Sequence, residues 1–334
     1  MRKIFVLFVM LILLGCEQAH KSLFLEGSTM GTTYHITLVN VPPHLKEPDI
    51  KQRIDTLLNE VNQQMSTYKK DSELSLLNQN SSTDWIPISN ALFIVLQEAI
   101  RVSQLSDGAF DITVGPLVNL WGFGPQWHEE KIPSPEMIAE TKQKVNYQYL
   151  NLQSNPPAVR KTRADIYIDL SGIAKGYGVD VIADFLEQQG ILNYLVEIGG
   201  ELRLKGQNAQ GKKWKVAVEK PIPNVRAVQS VIEINNAGVA TSGDYRNFFE
   251  LNGRRFSHII NPKTGEPVQT NVVSATILDP KSCMTADAWA KVPIVMGAEK
   301  ALALADRENI AMFLLLKEGD QFVSKSSRAF QIWQ

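Results

Sequence analysis

The chain has 334 residues, of which 44% are hydrophobic and 21% charged, and its formal net charge is -1. This near-neutral balance argues against nucleic-acid binding through a basic face, so we expect no nucleic-acid partner. The length is sufficient for a large hydrophobic core in one elaborate domain or in two closely packed ones.

The N-terminus has the pattern of an export signal. Arg2 and Lys3 form a short positive region, and an unbroken apolar run follows over Ile4–Leu14. A helix that crosses a bilayer needs roughly 20 apolar residues, so this run fits the hydrophobic region of a signal peptide instead. It ends in Leu13-Leu14-Gly15-Cys16, which resembles a bacterial lipobox; an ordinary signal peptide with a coincidental Cys is the alternative.

We therefore predict a lipoprotein signal peptide over residues 1–15, lipidation of Cys16, a tether over residues 16–27 and a folded domain over residues 28–334. A cysteine that carries more than one acyl chain anchors a protein stably to a membrane. We expect export and a lipid anchor at the periplasmic face of the inner membrane. Once Cys16 is lipidated, Cys283 has no partner in the sequence, so no disulfide framework is expected.

Beyond the tether, the apolar patterns predict an irregular succession of strands and helices. The predicted strands are Thr32–Val39, Ile166–Leu170, Tyr194–Ile198, Leu202–Lys205, Lys215–Glu219, Val231–Asn235 and Val272–Leu278. The predicted helices are Asp49–Met65, Asn90–Leu105, Ala174–Gln189, Ala286–Met296 and Lys300–Glu308, and an exposed loop is predicted over Gln126–Pro135. This order, with short glycine turns between neighbouring strands, indicates an α+β fold with mixed or antiparallel sheets and packed helices.

The segment Ile168–Asp180 has the pattern of a phosphate-binding turn. A predicted strand ends near Gly172, and a helix follows whose free N–H groups and positive dipole end suit a phosphate. Lys175 could add a point charge to such a site. Neither GxxxxGK[ST] nor GxGxxG is present, so the sequence supports neither a P-loop nor a Rossmann motif.

Other polar residues have roles that the sequence by itself leaves open. Asp111 lies between small residues, in a segment that a turn and a buried strand would also explain. Glu197 and Glu201 flank a glycine pair, as in a β-bulge or a hairpin corner. His258 precedes an Asn-Pro-Lys-Thr-Gly turn, where a structural histidine is more common than a catalytic one. Asp287 lies in the first turn of a predicted helix, where a carboxylate favours the helix dipole.

Taken together, these segments resemble the ApbE family in their residues and in their order along almost the whole mature chain. Each block is weak alone, but their occurrence together in family order is highly specific. The blocks are Thr29-Met30-Gly31-Thr32-Thr33-Tyr34, Met65-Ser66-Thr67-Tyr68 with Asp71-Ser72-Glu73-Leu74-Ser75, Gly108-Ala109-Phe110-Asp111, Asp169-Leu170-Ser171-Gly172-Ile173-Ala174-Lys175-Gly176, Ser257-His258-Ile259-Ile260-Asn261-Pro262 and Thr285-Ala286-Asp287-Ala288-Trp289.

The resemblance implies an ApbE-type (T-fold-like) α+β domain that binds FAD together with Mg²⁺. Tyr68 suits stacking on a flat ring. The family's metal takes the backbone carbonyl at the position of Gly172 and the carboxylate at the position of Asp287, and substrate phosphates complete the shell. The residues implied to line the flavin and adenosine pockets or to touch the nucleotide are Met30, Tyr68, Ala109, Phe110, Asp111, Asp169, Lys175, His258 and Ile259.

One position departs from the family pattern. The residue one helical turn after Asp287 is usually a Thr whose hydroxyl joins the metal shell, and here it is Lys291. Residues at i and i+4 share a helix face, so we expect the Lys291 ammonium near Asp287, where it cannot ligate Mg²⁺ and would repel it. Three alternatives follow: water replaces the missing ligand, Lys291 turns aside, or the metal affinity is reduced.

The implied reaction is the transfer of FMN from FAD to a Thr or Ser hydroxyl of a partner protein, with release of AMP. Mg²⁺ would neutralise the diphosphate, with Asp287 as its ligand, and His258 would be the general base. The implied acceptors are flavin-carrying subunits of membrane redox complexes of the Na⁺-pumping quinone reductase (Nqr) or Rnf type. The alternatives are an FAD pyrophosphatase, in which water replaces the acceptor hydroxyl, and a non-catalytic FAD-binding lipoprotein.

Overall fold

The structure is a computed structural model, and it describes residues 21–125, 132–219, 228–243, 248–251 and 254–333. The predicted signal peptide and Cys16 lie outside the described residues, as does most of the predicted loop over Gln126–Pro135. In the part that is described, no helix is both long and apolar enough to span a membrane.

The described chain contains strands throughout its length. In chain order they are β1 (Ser22–Thr29), β2 (Thr32–Val39), β3 (Ile86–Pro87), β4 (Leu150–Ser154), β5 (Pro157–Lys161), β6 (Asn193–Ile198), β7 (Glu201–Lys205), β8 (Trp214–Glu219), β9 (Val228–Ile234), β10 (Asn236–Gly243), β11 (Phe248–Leu251), β12 (Arg254–Ser257), β13 (Val272–Asp279), β14 (Ala311–Glu318) and β15 (Gln321–Ser326).

Helices alternate irregularly with these strands. They are α1 (Glu47–Met65), α2 (Glu73–Gln79), α3 (Asn90–Leu105), α4 (Gly115–Leu120), α5 (Pro135–Lys142), α6 (Ala174–Gln188), α7 (Cys283–Met296) and α8 (Ala298–Arg307), with short 3₁₀ turns at Tyr147–Tyr149 and Arg328–Trp333.

An eight-stranded sheet of order β1-β2-β6-β7-β10-β13-β14-β15 forms the centre of the fold. Every neighbouring pair in it is antiparallel. Smaller antiparallel sheets join β3, β5 and β4, then β8 and β9, and then β11 and β12. The prediction of an α+β fold with antiparallel sheets and packed helices is confirmed.

Helices α1 and α6 pack on the first strands of the large sheet. Ile50, Ile54 and Leu58 recur at four-residue spacing on α1 and are all buried. They share one apolar cluster with Ile36 of β2 and Val196 of β6. Because such side chains lie on one face of a helix, the α1 sequence specifies both the helix and the side that meets the sheet.

Helix α7 approaches its neighbours closely at its N-terminus. A Cβ on Gly176 of α6 would lie 2.5 Å from the carbonyl oxygen of Cys283, and one on Gly238 of β10 would lie 2.4 Å from the Cys283 nitrogen. Only glycine permits both approaches, since real Cβ atoms do not come so near to backbone. The start of α7 is therefore held against α6 and β10, and Lys175 and Asp287 are brought to neighbouring positions.

The predicted strand Ile166–Leu170 is wrong. The segment is extended, and its side chains alternate between buried and half-buried positions, which explains the strand-like pattern. Its backbone bonds elsewhere than to a sheet: the Asn78 side chain accepts from Ile168 N and donates to Ile168 O, both at 2.8 Å, and Asp169 N donates to Ile112 O at 2.7 Å. The alternating pattern therefore reflects burial alone, because the side-chain amide of Asn78 takes the place of a neighbouring strand.

The boundaries at the tether and at the loop also differ from the prediction. Strand β1 begins at Ser22 and pairs with β2 from Ser22 opposite Val39 onward, so residues 22–27 of the predicted tether belong to the sheet. Leu25 of this strand is buried. The loop predicted to end at Pro135 gives way there to α5, whose residues are all at least partly exposed and therefore show no apolar stripe.

Candidate functional site

A cavity of about 590 Å³ lies between the loop after α1, the segments preceding α4 and α6, strand β10 and the loop after β12. This volume is typical of a site for a small organic ligand. The structure brings most of the predicted site residues to its wall, namely Tyr68, Ala109, Phe110, Asp111, Asp169, Gly172, Lys175, His258, Ile259 and Lys291.

Two predicted residues, Met30 and Asp287, are not part of this wall. Met30 lies in the tight turn between β1 and β2 with a φ of 49°. Its terminal methyl lies over α6, where a Cβ on Gly178 would come within 2.8 Å of it. Asp287 is completely buried, behind Lys291. Met30 therefore packs on α6 outside the cavity wall, and Asp287 lies behind the wall in contact with Lys291.

Aromatic rings form one side of the cavity. Tyr68 is 69% exposed at the rim, where its ring is accessible to a ligand. Phe110 is buried, and a Cβ on Gly172 would lie 3.1 Å from Phe110 Cε2. The missing side chain at Gly172 therefore lets the phenyl ring lie against the backbone that begins the turn into α6. A flat ligand ring can pack on such a wall.

His258 is positioned by a second aromatic group. Its ring meets Phe123 edge-on with the centroids 6.4 Å apart. Phe123 stacks on Phe249 at 5.4 Å, and Phe249 stacks on Phe256 at 5.0 Å. After His258 the chain enters the predicted turn, in which the Asn261 side chain accepts from Lys263 N at 2.9 Å. The imidazole is thus held half-buried at the cavity wall, where it can accept a proton from a bound hydroxyl.

Asp111 is fixed by three hydrogen bonds. Its carboxylate accepts from Thr113 N at 2.8 Å, from the Thr113 hydroxyl at 2.6 Å and from Tyr147 N at 2.9 Å. Burial nevertheless raises the pKa of Asp111, because these bonds only partly offset the loss of water. The sequence left a turn or a buried strand as the alternative for this segment, and the structure shows turns with Asp111 facing the cavity.

Asp169 lies on the cavity wall, in the segment that precedes the turn into α6. Its carboxylate accepts from Ser171 N at 2.8 Å and has no ion-pair partner among the interactions of the described residues. Desolvation raises its pKa, and the bonds from Ser171 oppose that rise. A carboxylate that is held in place but poorly solvated can accept hydrogen bonds from a ligand's hydroxyl or amino groups.

Two ammonium groups on the cavity wall are paired with two buried carboxylates. We call this group, Lys175 with Glu201 and Lys291 with Asp287, the inner end of the cavity. Lys175 donates to Glu201, and Lys291 donates to Asp287. Burial and the charge of Asp287 raise the pKa of Glu201, against the opposing effect of both lysines. Burial would lower the pKa of Lys175, but the charges of Glu201 and Asp287 outweigh it and the pKa is raised. Both shifts are compatible because Glu201 faces a second carboxylate as well as an ammonium.

Glu201 is a site residue that the sequence does not single out, although it lies beside the Gly199-Gly200 pair. The glycines make the turn between β6 and β7 with φ values of 59° and 103°, so the hairpin-corner interpretation is confirmed. The first residue of β7 is nevertheless Glu201, which is buried and forms an ion pair with the partly exposed Lys175 at the cavity wall. The signal that could have indicated this was a carboxylate in a position that the sheet buries, where it requires a cation.

The positions implied for Mg²⁺ come together, but the donors present do not fit a divalent cation. Asp287 Oδ1 accepts from the Lys291 ammonium, and Oδ2 accepts from Gly176 N at 3.0 Å. Lys291 Nζ also donates to the Asp287 carbonyl at 3.0 Å. A doubly charged ion about 4 Å from this ammonium would be repelled by on the order of 8 kcal/mol at an effective dielectric constant of 20.

Lys291 lies beside Asp287 in this structure, as its position one helical turn later predicts, and it does not turn aside here. The Lys291 stem also adjoins Gly172, since a Cβ there would lie 3.7 Å from Lys291 Cε. Within the described ranges, no group of three His, Cys, Asp or Glu side chains could hold a metal ion. The N–H of Gly176, one of those that the helix N-terminus was expected to offer to a phosphate, is taken by Asp287.

The fold and the cavity define an α+β ligand-binding domain. Its cavity has an aromatic wall, formed by Tyr68 and Phe110, and a charged inner end. The chain belongs to the ApbE family, whose sequence model matches residues 30–314. It is 47% identical over 322 residues to the FAD:protein FMN transferase of Vibrio cholerae serotype O1, covering 96% of each chain. It is also 47% identical over 326 residues to the FAD:protein FMN transferase of Haemophilus influenzae, covering 96% of this chain and 94% of that one.

Solved structures show the same relationship. The flavin transferase ApbE from Vibrio cholerae superposes with a TM-score of 0.88 at 46% identity, over 94% of this chain and 100% of that one. The apo form of the Pseudomonas stutzeri flavinyl transferase ApbE gives a TM-score of 0.86 at 37% identity, over 94% and 97% of the two chains. The resemblance inferred from the sequence blocks is confirmed.

Proposed function

We propose that this chain is an FAD:protein FMN transferase that attaches FMN to a Thr or Ser hydroxyl of a partner protein and releases AMP. The observation that carries the proposal is the single cavity wall on which Tyr68, Asp169, Lys175 and His258 meet. This chemistry requires an exposed aromatic ring, a carboxylate that accepts hydrogen bonds from the nucleotide, an ammonium that donates to phosphate and a general base. The names of the relatives, FAD:protein FMN transferases, agree with it.

The proposed step is an in-line displacement at phosphorus. The acceptor hydroxyl oxygen forms a bond to the FMN-side phosphorus of FAD, the bond from that phosphorus to the bridging oxygen breaks, and the oxygen leaves with AMP. The hydroxyl proton passes to His258, which is the candidate general base because its imidazole is held at the wall by Phe123. Lys175 supplies positive charge for the diphosphate from its pair with Glu201. No step is assigned to Mg²⁺, because the donors around Asp287 do not favour it.

We further propose that the acceptors are flavin-carrying subunits of membrane redox complexes of the Nqr or Rnf type. The support is the N-terminal pattern that ends at Cys16, which predicts a lipid anchor at the periplasmic face of the inner membrane. An anchored transferase would share a surface with such subunits. Metabolic labelling with a palmitate analogue tests this: wild type should be labelled and Cys16→Ser should not, and an equal label in both contradicts the anchor.

The reaction itself is tested by incubating the purified chain in detergent with FAD and an acceptor domain. The expected result is in-gel flavin fluorescence of the acceptor and a mass increment equal to FMN, together with release of AMP. Accumulation of AMP and free FMN without an adduct would instead identify an FAD pyrophosphatase. FAD that binds and stays intact would identify a non-catalytic binding protein, and either result contradicts the proposal.

A further inference from the structure

Lys291 occupies the inner end of the cavity with its stem beside Gly172 and its ammonium on Asp287. An ammonium has three N–H donors. One is directed to Asp287 Oδ1 and another to the Asp287 carbonyl. The side chain is 20% exposed and lies on the cavity wall, while Asp287 behind it is fully buried. The third donor is therefore available to a ligand.

The charge balance of this wall depends on Lys291. Lys175 is paired with Glu201, and Lys291 is paired with Asp287, so the four groups together are neutral. Without Lys291, a buried carboxylate would face any phosphate that entered the inner end of the cavity. Asp111 and Asp169 on the same wall add to the negative side. A diphosphate can bind there only if a cation sits on Asp287.

We propose that the Lys291 ammonium takes the place of a divalent metal ion at the diphosphate of FAD, so that this chain binds and turns over FAD without requiring Mg²⁺. The inference rests on the proposed function for the identity of the ligand. It departs from the magnesium site that the family resemblance implies, and it follows from the pairing of Asp287 with a cation that belongs to the chain itself. A lysine ammonium is a compact point charge that binds phosphate well.

The test measures FAD affinity by flavin fluorescence, once in EDTA and once in excess Mg²⁺, and Mn²⁺ binding by electron paramagnetic resonance with FAD present. The variants are Lys291→Thr, which restores a hydroxyl ligand and removes the competing charge, and Lys291→Met, which keeps the stem without the charge. Lys300→Met on the exposed face of α8 is the matched control. Thermal unfolding of each variant shows which of them retain the fold.

For the wild type and Lys300→Met, we expect FAD affinities in EDTA and in Mg²⁺ that agree within about twofold, and Mn²⁺ that stays free. Lys291→Thr should bind Mn²⁺ and should gain about tenfold or more in FAD affinity on addition of Mg²⁺. Lys291→Met should lose affinity in EDTA and should recover less of it in Mg²⁺ than Lys291→Thr, because methionine supplies no hydroxyl ligand. The wild-type measurements alone decide whether FAD binding depends on a divalent metal ion. The inference therefore stays testable even if a variant does not fold.

Tight Mn²⁺ binding by the wild type, or loss of its FAD binding in EDTA, would overturn the inference, and an acceptor adduct formed in Mg²⁺ would then leave the proposed function intact. FAD that binds in EDTA but yields an adduct only in Mg²⁺ would also overturn the inference, whereas FAD that binds in EDTA and yields no adduct under either condition would contradict the transferase. A wild type that binds no FAD under either condition contradicts both.

Discussion

The carboxylate of Asp180, in α6, accepts a hydrogen bond of 2.9 Å from the backbone N–H of Cys283 at the start of α7. It also accepts from Met284 N at 3.0 Å and from the Ser282 hydroxyl at 2.8 Å. A residue of one helix thus satisfies free N–H groups at the N-terminus of the next. Because Lys175 lies on α6 and Lys291 on α7, this contact fixes the two ammonium groups of the cavity relative to each other.

Asp180→Ala should therefore destabilise the protein by about 2–4 kcal/mol, because it leaves buried donors at the start of α7 without an acceptor. Asp184→Ala is the matched control one turn later on the same helix. Asp184 is 59% exposed and also binds Arg203, so its loss should cost less than about 1 kcal/mol. Urea denaturation measures both. Equal losses in the two variants would mean that Arg203, and not the α7 cap, makes Asp180 important.

Two glycines of α6 make a second paired experiment. A Cβ on Gly176 would lie 2.5 Å from the Cys283 carbonyl oxygen, which is backbone and cannot move away cheaply. A Cβ on Gly178 would lie 2.8 Å from the end of the Met30 side chain, which is flexible. Both changes to Ala gain about 1 kcal/mol of helix propensity.

Gly176→Ala should lose about 1–3 kcal/mol in spite of that gain, whereas Gly178→Ala should be neutral or slightly stabilising. Chemical unfolding of the two variants provides the comparison. Similar losses at both positions would show that Met30 is held as rigidly as the backbone of α7.

The sequence predicted the parts of the fold in which burial and backbone pairing follow one period. The helix Asn90–Leu105 was predicted with the observed bounds, because its apolar residues recur at helical spacing and Ser89 caps it. Ile166–Leu170 was predicted as a strand, because burial alternates there although its backbone bonds to Asn78 and Ile112. Local patterns cannot reveal a partner that lies about ninety residues away.

The cavity was predictable only through the family resemblance. No local pattern joins Asp169 to His258, because the sheet and the packing of α6 on α7 bring them to one wall. The i,i+4 rule did place Lys291 beside Asp287. It could not show that Asp287 also accepts from Gly176, which comes from another helix. The lack of fit to a divalent metal therefore became visible only in three dimensions.

His258→Ala tests the general base. We expect the rate of FMN transfer to fall by about 10²–10⁴-fold, with FAD affinity changed by less than about threefold, because the residue acts on the acceptor hydroxyl. The control is His35→Ala: His35 is exposed on β2 and paired with Glu197 at 2.7 Å. Single-turnover transfer and flavin fluorescence separate the two quantities. A parallel loss of affinity and rate would instead make His258 a binding residue.

Substitutions of Tyr68 test whether the aromatic wall of the cavity binds the ligand. Since its side chain is 69% exposed, Tyr68→Ala should leave the free energy of unfolding unchanged. It should weaken FAD binding by about 2–12-fold, which corresponds to the roughly 0.5–1.5 kcal/mol of an aromatic stacking contact. Tyr68→Phe keeps the ring and should bind FAD as the wild type does. If Phe behaves like Ala, the hydroxyl and not the ring makes the contact, and the stacking role is excluded.

Asp169→Asn should stabilise the ligand-free protein in a pH-dependent manner. Desolvation raises the pKa of Asp169 above its ordinary value of 3.8, so the folded state disfavours the ionised carboxylate more than the unfolded state does. The contribution of this carboxyl to stability is therefore complete below pH 3.8 and is lost as the pH rises through the folded-state pKa. Asparagine keeps an oxygen for Ser171 N and cannot ionise.

The gain from Asp169→Asn should consequently be absent in acid and on the order of 1 kcal/mol at neutral pH, measured by urea denaturation of both proteins across that range. The same variant should bind FAD more weakly, because an acceptor on the cavity wall is replaced in part by a donor. A gain in stability together with a loss in binding would show that this carboxylate is retained for its ligand at the expense of the fold. A loss of stability that is constant with pH would show instead that the carboxylate is a structural acceptor for the turn into α6.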